Sequence, residues 1–586
     1  FAAVTYSAAN PFNPFGAEVL PVITLDGFNQ TREISLDHFR FATGVRGDLP
    51  GDWFKEKGWT YEVAGSYDRG DGIATQPQLD SRNFELAQET QYIDINGDVQ
   101  CGVGRVSADI YGGIIKAKDC VPLNMFNPNL YGKDGITTGR LSDEERAFLL
   151  GERVNGTTVT QAIFSGYTTG DLFSFDNGGT ASIVVGFETR KDTIDSQADF
   201  NGSKGYFIAE SPTTEGLTQG SRSVDEVFTE VSLPILSDVD GVNELTADIA
   251  MRYTDESNFG SESTERFRVL YAPTDWMSLS VAYGTSYRAP NLREQFLGDQ
   301  TSGTGGGNDP CNGGAFYDGT PNAYNPALDT RTQTELDNCL LSGVDPTVLG
   351  SLGTTSIQVI SAGNVDTLSP ETSEQTTFTF KADLYEGDNA NFNVAVTYFD
   401  IQIENTISQV GAAYILDRCY RDEANLASPY CDLVGPRNPD TTMSSRFVEF
   451  VEDTFLNLGE ETSVGWDINT RFSYMFDDVM DDSLELVWTT QTTLQDERSR
   501  IVISGETDRE EFAGTFGNPE MRFVQRIQLS SGDWSLLYTG RYVDETSRFV
   551  ANPDTDTCLQ ENAISMSAIT GSPDVYFDCV AEAKYY

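Results

Sequence analysis

Histidine is almost missing from this 586-residue chain: His38 is the only one. A histidine-based nucleophilic site or an imidazole-ligated metal would have to use it, yet it stands alone in the alternating stretch Leu36-Asp37-His38-Phe39-Arg40-Phe41. Most histidine-dependent enzyme chemistry is thereby excluded. Basic residues are also scarce, 38 against 90 acidic ones, giving a formal charge of −52. A nucleic-acid partner needs clustered Lys and Arg against phosphate, so that class is excluded too. No apolar run of roughly 18 residues occurs, so no transmembrane helix is predicted. No charged segment followed by an apolar one opens the chain, so no signal peptide is visible, and Phe1 is not an initiator Met. Cys-x-x-Cys is absent, and no P-loop, nucleophile elbow or dinucleotide glycine motif appears. No catalytic residue, metal ligand or cofactor is predicted.

What the chain does have is aromatic side chains (35 Phe, 25 Tyr), 54 Gly and many Asp/Asn-rich turns, a mixture that reads as folded and rich in β-structure. Its eight cysteines form four sequence-local couples: Cys101/Cys120, Cys311/Cys339, Cys419/Cys431 and Cys558/Cys579. An even count, each couple inside one turn-rich segment, reads as four loop-stapling disulfides made in an oxidising compartment.

Apolar and polar residues alternate over fourteen stretches, the period of a strand with two different faces. They are 36–46, 59–69, 157–166, 181–191, 223–234, 244–254, 264–272, 276–287, 373–385, 391–404, 462–476, 483–495, 519–530 and 533–545. One face is apolar with aromatics near its ends; the other carries Arg40, Glu62, Arg266, Arg268, Lys381 and Arg471. A soluble sandwich and a transmembrane barrel both produce this pattern. The connections separate them. Short gaps such as 273–275 and 531–532 alternate with long ones, 70–156, 192–222, 288–372, 405–461, 496–518 and 546–584, with 255–263 the short exception. All four cysteine couples fall in the long set. Short turns at one end and long loops at the other are the organisation of an outer-membrane barrel, and a soluble sandwich rarely carries such loops. The fold class is therefore all-β, a large antiparallel transmembrane barrel with disulfide-stapled external loops.

Some loop structure is legible. Ser142-Asp143-Glu144-Glu145 is a capping box that predicts a short helix through Leu150, and a second helical patch covers 330–342. Asp94–Asp98 lacks the glycine and the glutamate of a calcium loop and reads as an ordinary turn. The glycine run at 302–307 reads as a flexible loop tip.

Several segments resemble the barrel of TonB-dependent outer-membrane receptors. Tyr283 to Phe296 contains Arg288-Ala289-Pro290, similar to the family's Arg-Ala-Pro segment at the end of a strand before a long external loop. Asn364 followed by Leu368-Ser369-Pro370-Glu371 resembles the Asn-x-x-Leu-x-Pro-Glu element that opens the next strand. Asn457-Leu458-Gly459 with Thr462, Gly465 and Asp467 is similar to the lead-in of a later strand, although Val464 and Trp466 depart from the usual Ser-Gly-Ile-Asp-Leu. Asn10-Pro11-Phe12-Asn13-Pro14-Phe15-Gly16, Cys120-Val121-Pro122-Leu123-Asn124 and Asp309-Pro310-Cys311 resemble loops of a large proteobacterial branch.

The resemblance implies a barrel of roughly 22 strands around a plug, placed in the outer membrane of a Gram-negative bacterium. Only about fourteen of those strands are legible, residues 1–35 read as an external loop, and Tyr585-Tyr586 looks like the start of a further strand. The expectation is thus an internal piece, one barrel domain over 1–586 without plug or terminal strands, and a sheet with two open edges. The implied function is TonB-energised uptake of a scarce nutrient, a siderophore, an oligosaccharide or similar. The implied partners are outer-membrane lipid and lipopolysaccharide, TonB through the missing plug, and a small nutrient ligand. Contact residues are expected among the loop aromatics Phe316, Tyr317, Tyr324, Tyr414, Tyr420 and Tyr430, for which packing between loops is the competing reading. Arg288 reads first as a strand-end structural residue and second as a ligand contact. The acidic excess disfavours anionic ligands unless local Arg clusters invert it. The rival functions are a plugless porin-like channel, a secreted β-rich adhesin, and a glycan-processing enzyme whose carboxylate pair forms only in three dimensions.

Overall fold

The computed structural model describes residues 2–3, 6–19, 22–23, 25–26, 31–89, 91–102, 120–127, 139–208, 214–313, 324–327, 329–347, 356–439, 446–479, 482–502, 509–547, 579–580 and 583–585. Fourteen long strands form its wall. They are β1 (Glu33–Asp48), β2 (Thr60–Asp80), β3 (Leu150–Ser174), β4 (Thr180–Ala198), β5 (Thr218–Val239), β6 (Val242–Glu256) and β7 (Gly260–Thr274). The second half comprises β8 (Met277–Arg288), β9 (Glu371–Glu386), β10 (Ala390–Glu404), β11 (Glu460–Val479), β12 (Asp482–Ile501), β13 (Met521–Ser531) and β14 (Trp534–Val543). Each pairs antiparallel with the next in chain order. The fourteen expected stretches correspond to them one for one.

Several strands run further than the alternation predicts, whereas β14, Trp534–Val543, is shorter than the expected 533–545. β3 has 25 residues and β2 has 21. The extensions, such as Gly70 to Asp80, lack a two-residue period because they rise towards the long loops, where one face no longer has to be apolar. Backbone pairing alone continues the strand there.

The expected pair of open edges needs correction. The circuit closes through a three-residue strand, Ala583–Tyr585, which pairs with Arg541 to Val543 of β14 and stands between β14 and β1. The seam is short, however. The ladder spanning the whole of β1 is the one to β2, and all but one of the residues of β1 are exposed.

Ladder register places the side chains. Val281 faces Phe378, Phe378 faces Tyr398, and Tyr398 faces Trp466, giving a row of apolar groups on one side of the sheet. Phe41, Phe164, Met251, Phe267 and Trp488 lie on the same side and are large yet exposed. The other side carries Arg40, Glu62, Arg266, Arg268, Lys381 and Arg471, and the clefts of the concave wall are lined from it. An apolar outer surface around a polar interior is the arrangement lipid requires. Among the described residues no helix is long and apolar enough to cross a membrane. Turns at one end are tight, as at Asp240-Gly241 between β5 and β6, where Gly241 takes φ 78°. The long connections leave the other end.

Candidate functional site

Two of the long connections, 289–370 between β8 and β9 and 405–459 between β10 and β11, meet over that open end. The strand ends beneath them are tied by the motif residues. Arg288 closes β8 and faces Glu371, the first residue of β9. Its Nε donates to Glu371 Oε2, and its Nη1 donates to Glu294 Oε2 at 2.9 Å. Glu371 Oε1 accepts the Ile407 backbone N–H at 2.7 Å, so one carboxylate joins three strand ends. Glu294 belongs to a capping box with Asn291 on the short helix Leu292–Phe296. The Asn-Leu-Arg-Glu spacing is the sequence signal of that helix.

Ala289 follows β8 directly. The Pro290 carbonyl accepts from Arg222 Nη1 at 3.0 Å and from Gln295 Nε2 at 2.6 Å. Leu368 is buried, and Pro370 sets the chain into β9. Asn457 completes the joint. Its amide donates to the carbonyls of Ser369 (2.8 Å) and Asn405 (2.7 Å) and accepts from Ser369 N–H at 2.6 Å.

These elements therefore meet at one place, the collar of the barrel mouth. Arg288→Ala would leave the largely covered carboxylates of Glu371 and Glu294 without their shared cation. The expected cost is about 2 kcal/mol, below that of a fully buried pair because Arg288 is part exposed. A lower temperature for loss of heat-modifiable migration in detergent gels is the readout.

Above the collar the two connections build one folded cap. Its core contains Cys311, Cys339, Val344, Ile357 and Val359 from the first, and Ile415, Leu416, Cys419, Tyr420, Val448 and Val451 from the second. Disulfides Cys311–Cys339 and Cys419–Cys431 staple the two halves separately, each in its own connection. The halves are joined by a parallel pairing of residues 358–360 with 450–452. Buried Asn338 donates to the carbonyls of Tyr420 (2.9 Å) and Glu423 (2.8 Å).

Arg437 is a further link. It forks onto Asp309 at 2.6 and 2.8 Å, donates to Tyr420 Oη at 3.0 Å and to the Arg446 carbonyl at 2.8 Å. Arg437 and Asp309 are 5% and 1% exposed. The helical patch expected at 330–342 is the helix Gln333–Leu341, started by a Thr332/Glu335 capping box. The glycine run needs correction: Gln300–Gly305 is a strand paired with Ser356–Ser361, not a loose tip. At Gly303 a Cβ would lie 2.6 Å from the Ser356 side-chain Oγ, with the nearest backbone atom, the Ile357 carbonyl oxygen, at 3.8 Å.

The expected contact aromatics divide. Phe316 and Tyr317 lie outside the described residues. Tyr420 and Tyr430 are buried in the cap core, and Tyr414 stands edge-on to Tyr430 at 5.7 Å while its hydroxyl accepts from Arg418 Nε at 3.0 Å. Tyr324 donates to Asp329 at 2.6 Å. Asp329 in turn holds Arg331, whose Nη1 and Nη2 reach the carbonyls of Pro310 and Pro346 at 3.1 and 2.9 Å. In this geometry the described aromatics brace the cap.

The Arg331 hydrogen bond, then that of Tyr324, holds the Asp329 carboxyl down at about 2, and Asp329 holds the Tyr324 hydroxyl up. The depressed carboxyl stabilises the cap fully above its ordinary value, and that stability is lost as pH falls through about 2. Cap protease resistance, followed by an acid-tolerant protease, is expected to fall between these two values in the native protein. In Asp329→Asn it should be weaker at neutral pH and fall less across that window.

A second external cluster joins residues 6–19 to the connection 81–149. Tyr6, Phe84, Leu123, Met125 and Leu149 are its core, and Tyr6 Oη donates to the Leu123 carbonyl at 3.0 Å. Its helix Asp143–Leu149 has the predicted Ser142/Glu145 capping box. Asp94 forms an Asx turn, its carboxylate accepting Asn96 and Asp98 N–H at 2.8 and 2.9 Å. Cys101–Cys120 is formed.

The expectation of four disulfides is met for three couples, and the fourth, Cys558/Cys579, is not among the bridges of the described residues. Cys558 lies outside the described residues. Cys579 is described by its backbone alone, in the two-residue strand Cys579–Val580, where it pairs with Ser547 just beyond β14. On the inner wall, His38 and Arg40 stand 3.5 and 3.6 Å from Asp68.

The family described as TonB dependent receptor-like, beta-barrel matches residues 4–565. No curated protein matches the chain. Among solved structures, the siderophore receptor PirA from Acinetobacter baumannii is similar at 12% identity and TM-score 0.44, with 94% of this chain covered. This chain spans 55% of its length. A variant of the ferric enterobactin receptor PfeA from Pseudomonas aeruginosa gives 11% identity and TM-score 0.40, covering 96% of this chain and 72% of that one. The RagAB peptide importer gives 11% and 0.42, covering 88% and 47%. The matched family comprises receptors and transporters, not enzymes, of the Gram-negative outer membrane. With its Arg-Ala-Pro and Leu-x-Pro-Glu elements joined at the mouth of an antiparallel barrel, and the family match running along nearly its whole length, this chain belongs to the TonB-dependent receptor β-barrel family.

Proposed function

We propose that this chain is the wall and outer vestibule of an outer-membrane importer that captures a scarce nutrient outside the cell. Uptake is driven by TonB acting on a plug inside the barrel. The observation that carries this reading is the cap: two connections from neighbouring strand ends, each with its own disulfide, fold into one core over the mouth. A channel for passive diffusion gains nothing from so much ordered structure there. A capture site does, because loops ordered in advance lower the entropic cost of holding a ligand. Siderophores, oligosaccharides and peptides all suit such a vestibule.

The test is uptake from spent medium by cells carrying or lacking the receptor gene, with periplasmic solutes compared by mass spectrometry. Accumulation of a solute that stops when TonB is deleted or the inner-membrane proton gradient is collapsed is the expected result. Accumulation that persists in both cases would replace active import with passive diffusion.

A further inference from the structure

The cations of the wall are sorted by face. Ladder register puts nearly every described arginine and lysine of β1 to β14 on the interior side, as with Arg40, Arg252, Arg268, Lys381, Arg471 and Arg526. Arg69 of β2 and Lys191 of β4 are the exceptions. Arg69 faces Phe39 and Thr160, and Lys191 faces Ala162 and Ser223. These partners continue the lipid-facing side of Phe41 and Phe164.

The two exceptions are neighbours. Only β3 stands between β2 and β4, and Thr160 and Ala162, which face them on it, are two positions apart. That separates their backbones by about 10 Å across the strands and about 7 Å along them, within converging reach of two long side chains. Exposed Ala162 leaves room beside them, and the hydroxyls of Thr160 and Thr193 adjoin at 2.5 Å. Asp71 accepts from Arg69 Nε at 2.6 Å and Nη2 at 2.8 Å, which holds the guanidinium in place and leaves Nη1 to donate elsewhere. Lys191 is exposed and has no ion pair among the described residues.

Order along the strands identifies the partner. Rising towards the long loops, the outward side of β2 reads Tyr67, Arg69, Asp71, and that of β4 reads Phe187, Lys191, Asp195. Aromatic, cation and acid thus follow one another on both strands. A leaflet of phosphorylated glycolipid presents its layers in the same order: acyl chains, phosphates, then the divalent cations those phosphates gather. On the next two strands the middle layer is missing, since Val227 is followed by Asp225 and Tyr253 by Asp255. A cation on the lipid side is costly at the midplane and tolerated only near the headgroups.

We propose that Arg69 and Lys191, on the outside of β2 to β4, bind the phosphate of a phosphorylated glycolipid in the outer leaflet. The hydroxyls of Thr160 and Thr193 supply neutral donors to the same group. A phosphate monoester carries more charge than the diester of an ordinary phospholipid, so the site favours the glycolipid. The site needs only the lipid-facing wall and is independent of what the barrel imports.

The experiment is native mass spectrometry of the purified protein in neutral detergent, incubated with bisphosphorylated lipid A or, separately, with phosphatidylglycerol. One lipid A is expected to stay bound through detergent removal, with phosphatidylglycerol retained far less. Lys191→Gln should weaken lipid A binding about fivefold, and the Arg69→Gln/Lys191→Gln pair about thirtyfold. Arg69→Lys should keep most of it, and Lys381→Gln on the interior side should leave it unchanged. Heat-modifiable migration identifies the variants that keep their barrel. Undiminished retention of lipid A by the pair, equal loss in Lys381→Gln, or equal retention of the two lipids by the native protein would overturn the site. Lipid retention is read without transport, so its failure leaves active import standing, and gradient-independent uptake would leave the site standing.

Discussion

Replacing Arg437 with alanine is expected to unfold the cap and leave the barrel intact. The substitution strands Asp309, which is 1% exposed, without the guanidinium that forks onto it, and removes the donor to Tyr420 Oη and the Arg446 carbonyl. Removing one member of a buried ion pair costs about 3–5 kcal/mol, because the remaining charge is left uncompensated. The loss falls on the contact between the two connections, since neither disulfide crosses it. Limited proteolysis should therefore cut within 289–370 and 405–459 while heat-modifiable migration persists. Arg437→Leu combined with Asp309→Leu should recover much of the resistance, as apolar replacement of a whole buried pair is often near neutral. Unchanged protease resistance in Arg437→Ala would mean that the pair does not hold the cap together.

The second large effect concerns the wall. Phe378 sits midway along β9, facing Val281 and Tyr398, and is 42% exposed. In lipid, Phe378→Arg should cost about 2–4 kcal/mol of barrel stability, the penalty for a cation at the bilayer midplane. Thr379→Arg, on the opposite face of the same strand, should cost far less. Urea unfolding in lipid vesicles, followed by tryptophan fluorescence, measures both. Equal effects at the two positions would deny that the faces see different solvents.

The wall was legible in the sequence because its rule is local. Phe378 and Phe380 alternate with Thr379 and Lys381 under one period of two, which needs no knowledge of the partner strands. Strand extensions such as Gly70 to Asp80 were missed because that rule lapses above the lipid. The Arg-Ala-Pro and Leu-x-Pro-Glu elements were visible as a resemblance. That Arg288 meets Glu371 across 83 residues, with Glu294 and Ile407 joining them, needed the fold. The cap was the least legible part. Arg437 and Asp309 are 128 residues apart, and nothing near Arg437 marks it. Tyr420 and Tyr430 are buried in the cap core, a placement that depends on contacts between two distant connections and is not visible in either alone. The glycine run misled because its strand is defined by pairing with Ser356–Ser361, a distant partner that local composition does not reveal.

The account rests on a barrel whose apolar face meets lipid and whose polar face meets water. Nitroxide labels on encoded keto residues, placed singly at 486 to 491 of β12 in a reconstituted bilayer, test this most directly. Leu486, Trp488 and Thr490 lie on the side of Phe378, and Val487, Thr489 and Gln491 on the side of Arg471. The prediction is strict alternation: lipid-soluble oxygen relaxes labels at the first three positions, and a water-soluble nickel complex relaxes those at the second three. Alternation in the opposite phase, or equal access to the nickel complex at all six, would contradict a membrane-spanning wall.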